Sequence, residues 1–316
     1  MSDILFIKTS SLGDVIHHMP AVSDARAHLP QARIGWVVEE AFAPLVALNC
    51  AVDTVIPVAS RRWRSAPLSG QTWREIGVFR RAMREQTHET VIDAQGLIRS
   101  ALIARFARGQ RHGYDGASVR ERAAAWFYDA HHGVERALHA ITRNRMLTGQ
   151  VLGYASEGPP DFGLDRAALM SGAAAREVVL LHATARPEKE WPVARWIELG
   201  QALVARGYTL VLPWGNAAER RRSEDIAAAV PNATVPDLEP LDQVARRIAR
   251  AAFVVGVDTG LLHLAAALGV PLVAIFVGTQ PGQHGPLGAG NIEIVGTMGE
   301  MPSVNDVRAA VERIEP

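Results

Sequence analysis

Cysteine is almost absent: Cys50 stands alone among 316 residues, which excludes an internal disulfide framework and fits a reducing compartment. Neither sign of charge is in excess. With 33 basic and 33 acidic side chains the formal net charge is zero, so a broadly electrostatic nucleic-acid binder is excluded and any basic site must be local. No stretch approaches the roughly 20 uninterrupted apolar residues that a membrane span requires. Met1–Gly13 lacks the basic-then-apolar order and the small-residue cleavage site of a signal peptide. The expected location is the cytoplasm, with docking on a membrane surface left open. The adjacent pairs His17-His18 and His131-His132 have no carboxylate or thiol partners at ligand spacing, so no metal is expected. Ser10 and Ser11 lack a G-x-S-x-G context, which leaves a hydrolase triad unsupported.

What is present is a substantial apolar fraction, 48%, enough for an ordinary globular core. At about 150 residues per domain the length predicts two domains. Short β-branched runs alternate with longer helical ones. Strands are predicted at Ile4–Lys8, Ile34–Val38, Thr54–Pro57 and Thr90–Asp93, then at Val178–His182, Thr209–Pro213, Phe253–Val257, Leu272–Phe276 and Ile292–Val295. Helical patterns lie between them, among them Pro20–Leu29, Trp73–Gln86, Pro192–Arg206, Thr259–Leu268 and Asn305–Glu315. Continuous apolar strands separated by helices call for parallel sheets covered on both faces, hence an α/β fold. The break is expected within Gly153–Gly172, around Gly158-Pro159-Pro160, giving domains 1–160 and 161–316. Two Rossmann-like domains facing across a cleft are expected, with the last helix able to pack back on the first. In such sheets ligands bind beyond the carboxyl ends of the strands, so the loops there carry the candidate chemistry.

After the first strand, Lys8-Thr9-Ser10-Ser11-Leu12-Gly13-Asp14 delivers a carboxylate near a helix start, where Asp14 serves equally well as a cap. This loop is neither a dinucleotide fingerprint nor a Walker loop. Pro20 either kinks the first helix or starts it. The run His182-Ala183-Thr184-Ala185-Arg186-Pro187-Glu188-Lys189 offers a hydroxyl, backbone N–H groups and an ammonium, the groups a pyrophosphate needs. Val257-Asp258-Thr259-Gly260 leads from a strand into a helix N-terminus, an anion site by virtue of its free N–H groups and dipole. Asp258 would repel a phosphate there and is assigned to capping or hydroxyl contacts. His263 reaches a phosphate or simply packs. Glu219, after Leu212-Pro213-Trp214-Gly215, accepts ribose hydroxyls or caps its helix. Arg61-Arg62-Trp63-Arg64 and Asp93-Ala94-Gln95-Gly96-Leu97-Ile98-Arg99 follow the third and fourth strands, a local basic cluster suited to an acidic acceptor.

Taken in order, these loops resemble the heptosyltransferases of glycosyltransferase family 9. The resemblance runs over essentially the whole chain, including Trp36-Val37-Val38-Glu39-Glu40, Lys189-Glu190-Trp191-Pro192 and Asp258-Thr259-Gly260-Leu261-Leu262-His263. It implies a GT-B fold and an inverting transfer of L-glycero-D-manno-heptose from ADP-heptose to the Kdo of Kdo-lipid A. That step belongs to lipopolysaccharide core biosynthesis at the cytoplasmic face of the inner membrane. By position Asp14 matches the family's catalytic base. Thr184, Lys189, Glu219, Asp258, Thr259, Gly260 and His263 match donor positions. Ala185 stands where relatives often carry a second Thr, leaving a backbone N–H for the donor. Acceptor contacts are expected from Lys8, Ser10, Arg61, Arg62, Arg64, Gln95 and Arg99. Lys189 and the helix N-terminus at Thr259–Gly260 would stabilise the leaving diphosphate, so neither metal nor cofactor is expected. The competing readings are a family member that takes an already heptosylated acceptor, a nucleotide-sugar epimerase, and a non-catalytic nucleotide-binding module.

Overall fold

The computed structural model describes residues 3–170, 176–184, 186–282 and 285–315. Two compact units divide the chain, Met1–Gly163 and Leu164–Pro316. In the first, six parallel strands, β1 (Asp3–Ile7), β2 (Arg33–Glu39), β3 (Thr54–Val58), β4 (Thr87–Asp93), β5 (Arg108–Tyr114) and β6 (Ala130–His132), lie in the order β3-β2-β1-β4-β5-β6. The second repeats this with β7 (Glu177–Leu181), β8 (Thr209–Val211), β9 (Ala233–Thr234), β10 (Phe253–Val257), β11 (Leu272–Ile275) and β12 (Ile292–Val295), ordered β9-β8-β7-β10-β11-β12. Both are doubly wound sheets whose direction of winding reverses once, between β1 and β4 and between β7 and β10.

The central strands are the predicted apolar runs, because strands covered on both faces must be apolar throughout. β1 is buried from Ile4 to Ile7, and all five residues of β10 are buried. Strands β5, β6 and β9 went unpredicted. β5 reads Arg-Gly-Gln-Arg-His-Gly-Tyr, and its polar side chains are met laterally: Arg111 holds Asp129 through two hydrogen bonds of 2.9 and 2.6 Å, and His112 meets His132 at 3.1 Å. Pro20 starts a helix rather than kinking one. Leu12–Ile16 is a separate short helix, and Pro20 sits in the first turn of Met19–His28, where its missing N–H costs nothing.

The Gly-Pro-rich stretch expected to break the chain is tied to the first unit up to Gly163. Arg145 donates to the carbonyls of Glu157 (2.8 Å) and Gly158 (2.9 Å), and Cys50 N–H donates to Gly163 O (2.9 Å). Gly163 has φ +62°, and a Cβ there would lie 2.7 Å from Asn49 Oδ1, so no other residue fits without strain. The last helix, Val304–Ile314, is part of the second unit. Its apolar stripe, Val304, Val307, Ala310, Val311 and Ile314, is buried in the core of the second unit against β11, β12 and the helix Val193–Ala205. The i, i+3, i+7 spacing leaves one apolar face, and the second sheet takes it.

Candidate active site

At the switch point of the first sheet the loops after β1 and β4 are laced together. Lys8 Nζ donates to Ala94 O at 2.8 Å, and Gln95 Oε1 accepts from Thr9 N and Ser10 N at 3.1 and 3.2 Å. Asp93, fully buried, anchors the second loop by accepting from Gln95 N (2.9 Å), Gly96 N (3.2 Å), Ser100 Oγ (2.8 Å) and Tyr128 OH (2.7 Å). Burial pushes its carboxyl up, opposed by those four donors. Gly113 makes room for the tyrosine, since a Cβ there would sit 2.2 Å from the Tyr128 ring. Tyr128→Phe should therefore destabilise the first unit by about 1–3 kcal/mol, the range for losing a hydrogen bond to a buried charge, measured as a lowered urea midpoint.

Asp14 is the third residue of the helix Leu12–Ile16 and half-buried. Ser11 N and Ser11 Oγ both donate to its Oδ2 at 3.0 Å, while among the described residues Oδ1 takes no protein hydrogen bond. The capping role left open by the sequence is real, and it occupies one oxygen only. Burial pushes the Asp14 carboxyl up, but the Lys8 ammonium, the two Ser11 bonds and Arg120 outweigh it and hold it below the ordinary value. Lys8 is itself buried, and desolvation lowers its ammonium against the opposing charges of Asp14 and Asp93.

The basic cluster divides. Arg99 Nη2 reaches Ser10 Oγ at 3.3 Å, and its guanidinium is lowered by burial and by the like charges of Arg64 and Arg61, which places these three arginines in one field beside the β1 loop. Arg61 also lies over the Phe42 ring at 5.1 Å, and its helix start is capped by buried Glu39. Arg62 does not join them. Its guanidinium is spent bidentately on Glu40 through Nε and Nη2 (3.1 and 3.0 Å) and, through Nη1, on both oxygens of Glu75 (2.8 and 2.7 Å), because the side chain next to Arg61 on a helix points about 100° away. Arg120 was not singled out from the sequence. It reaches the field of Lys8 and Asp14 from the loop after β5, a strand whose polar sequence concealed both itself and its loop.

The switch point of the second sheet is built alike. Thr184 Oγ1, after β7, donates to Asp258 O, after β10, at 3.1 Å. Asp258 Oδ2 accepts from Lys189 Nζ at 2.6 Å and from Thr279 Oγ1 at 2.8 Å, and His263 Nε2 stands 3.9 Å from Oδ1. Burial raises the Asp258 carboxyl, and Lys189, Thr279 and His263 bring it below its ordinary value. Asp258 thus corrects the expected capping role: the cap position of the helix Gly260–Ala267 is Thr259, and Asp258 tethers Lys189. An ammonium has three donors, so the tether leaves two for a ligand beside the free N–H groups of the helix start. Thr279, from the loop after β11, joins the site with no motif in the sequence to mark it. Its approach depends on Gly278, where a Cβ would fall 2.5 Å from Glu188 O.

The cap of the helix that carries Glu219 is Asn216, which accepts from Ala218 N and Glu219 N, and Glu219 braces that cap, Oε2 accepting from Gly215 N and Oε1 from Asn216 Nδ2, both at 2.7 Å. Trp214 beside it donates to Pro236 O at 2.8 Å. Ala185 lies outside the described residues. Lys8 and Lys189 are the only lysines in the sequence, every other strong base being arginine, and each stands at the switch point of its own sheet. Among the described residues no group of three His, Cys, Asp or Glu side chains is placed to hold a metal ion, and no helix is long and apolar enough to cross a membrane.

Two doubly wound parallel units, one with a carboxylate at its switch point and the other with a tethered ammonium beside a helix N-terminus, define a glycosyltransferase of the GT-B class. The chain belongs to glycosyltransferase family 9, the heptosyltransferases, whose family model matches residues 76–311. It is 41% identical over 289 residues to lipopolysaccharide heptosyltransferase 1 of Escherichia coli K12, covering 90% of this chain and 91% of that protein. Its identity to the Pseudomonas aeruginosa protein of the same name is 42% over 297 residues, covering 92% and 83%. The solved structure of E. coli heptosyltransferase WaaC with ADP superposes with a TM-score of 0.92 at 38% identity, covering 98% of this chain and 99% of that one.

Proposed function

We propose that this heptosyltransferase moves L-glycero-D-manno-heptose from ADP-heptose to the Kdo of a Kdo-lipid A acceptor, in one step with inversion, at a membrane surface. The observation that carries the reading is the Lys189–Asp258 pair at 2.6 Å beside the helix start at Thr259–Gly260, a fixed cationic site of the kind a diphosphate leaving group needs. The solved WaaC complex with ADP-2-deoxy-2-fluoro heptose, with a TM-score of 0.89, supports the donor. The acceptor oxygen forms its bond to the anomeric carbon as the bond to the diphosphate breaks. Its proton passes to Asp14, and the charge growing on ADP meets Lys189. The first unit carries the acceptor half of the reaction and the second the leaving group.

The direct test is ADP release from ADP-heptose with and without Kdo-lipid A. Release only with acceptor is expected. An isomerised sugar from donor alone would mean an epimerase, and ADP binding without any release a non-catalytic module.

Arg61, Arg64 and Arg99 are assigned to acidic groups of the acceptor. Replacing each with Ala should raise the acceptor KM about tenfold or more, the magnitude of one charge-assisted hydrogen bond, with the donor KM unchanged. Arg62→Ala should leave the acceptor KM near wild type, because its partners are Glu40 and Glu75. With Lys189 and the helix N-terminus supplying the positive charge, turnover should survive EDTA undiminished; loss restored by a divalent cation would contradict this assignment.

A further inference from the structure

The helix Gly70–Glu85 turns Thr72, Phe79 and Met83 inward, Phe79 and Met83 into the core of the first unit. Its opposite face is unlike the rest of the surface. Arg74, Arg80, Arg81 and Arg84 line a shallow depression with Gly77 and Val78. Trp73 and Val78 are 64% and 57% exposed, and Leu68, just ahead of the helix, is 95% exposed. Among the described residues none of Arg74, Arg81 and Arg84 meets a carboxylate at ion-pair distance, and Arg80 only lies over the Phe106 ring at 6.0 Å. Glu75 on the same helix is consumed by Arg62, Trp63 and Gln71, and Glu85, exposed on the outward face one turn after Arg81, stands at ion-pair distance from none of these arginines among the described residues.

Unpaired arginines are costly to gather in a protein of zero net charge unless something anionic meets them. An exposed tryptophan, valine and leucine set among them is the composition of a surface that lies in a lipid interface, guanidinium groups on headgroup phosphates and apolar groups at the acyl boundary. We propose that the outward face of the helix Gly70–Glu85, with Arg74, Arg81, Arg84, Trp73, Val78 and Leu68, docks this protein on an anionic lipid bilayer. The assignment builds on the reading of a lipid-linked acceptor and adds the surface that meets the lipid. Nucleic acid is the less suitable partner, since the apolar groups would find no aliphatic phase there.

The test is co-sedimentation of the full chain with vesicles of phosphatidylcholine and phosphatidylglycerol at 3:1 (roughly a bacterial charge density), and with pure phosphatidylcholine. Binding to the anionic vesicles alone is expected, weakening as salt is raised. The charge-reversed variant Arg74→Glu/Arg81→Glu/Arg84→Glu should lose at least about 100-fold in partitioning, roughly fivefold for each positive charge removed and more for each negative charge introduced. A control with equal charge change, Arg221→Glu/Arg246→Glu/Arg308→Glu, should lose far less, and Trp73→Ser should weaken binding without altering the melting temperature. The triple variant should turn over a soluble, deacylated acceptor like wild type and an acceptor embedded in vesicles more slowly. Equal binding by variant and wild type, equal losses in variant and control, or no vesicle binding by the wild type would overturn the proposal. Failure of the wild type on the soluble acceptor would instead count against the functional reading.

Discussion

Asp14→Asn is expected to lower kcat by about 10²–10⁴-fold, the range for removing a general base, with ADP-heptose affinity unchanged. The amide preserves an acceptor oxygen for the Ser11 bonds at 3.0 Å, so the helix start stays capped while the base is gone. The position of the free carboxylate oxygen is then filled by an amide NH2, which donates hydrogen bonds and cannot take up the proton. The pH dependence separates this role from a structural one. Lys8, Ser11 and Arg120 hold the wild-type carboxyl below its ordinary value despite burial, so the base stays ionised through the neutral range and the acid limb of kcat/KM should fall below the usual carboxylate range near pH 4. Lys8→Met removes the largest stabilising charge, raises the Asp14 pKa, and should move that limb to higher pH. A base held this low is weak in the ground state and accepts the proton late, when the attacking oxygen has become acidic. Near-normal kcat for Asp14→Asn, or an acid limb unmoved by Lys8→Met, would remove Asp14 from the step.

Lys189→Ala should reduce kcat by about 10²–10³-fold, the cost of one preorganised donor to a developing anion, and should weaken ADP binding too. Two effects combine. The leaving diphosphate loses its point charge, and Asp258 is left with Thr279 at 2.8 Å as its remaining close donor, so a carboxylate now faces the incoming phosphates. Lys189→Arg should recover part of the loss, since the charge returns without the compact geometry of an ammonium. Because the chain has two lysines and Lys8 is buried against Ala94, an amine-selective reagent should inactivate chiefly through Lys189, and ADP should protect. Inactivation that ADP does not slow would place the diphosphate elsewhere.

The sequence by itself determined the architecture: strands enclosed on both faces must be continuous apolar runs, so β1, β2, β4, β7, β10 and β11 were visible, and their alternation with helices implies parallel winding. It also located the loops that bear Asp14, Lys189 and Asp258, since ligands in such sheets gather beyond the carboxyl ends of the strands. It could not show what each side chain in those loops holds, because partners lie 69 residues apart for Lys189 and Asp258 and 85 and 86 for Gln95 and the β1 loop. Only the tertiary structure turned Asp258 from a cap into a tether, separated Arg62 from Arg61, Arg64 and Arg99, and brought in Arg120 and Thr279. Hydrophobic periodicity is a property of neighbours along the chain, whereas a polar contact in a loop is settled by whichever distant strand folds beside it.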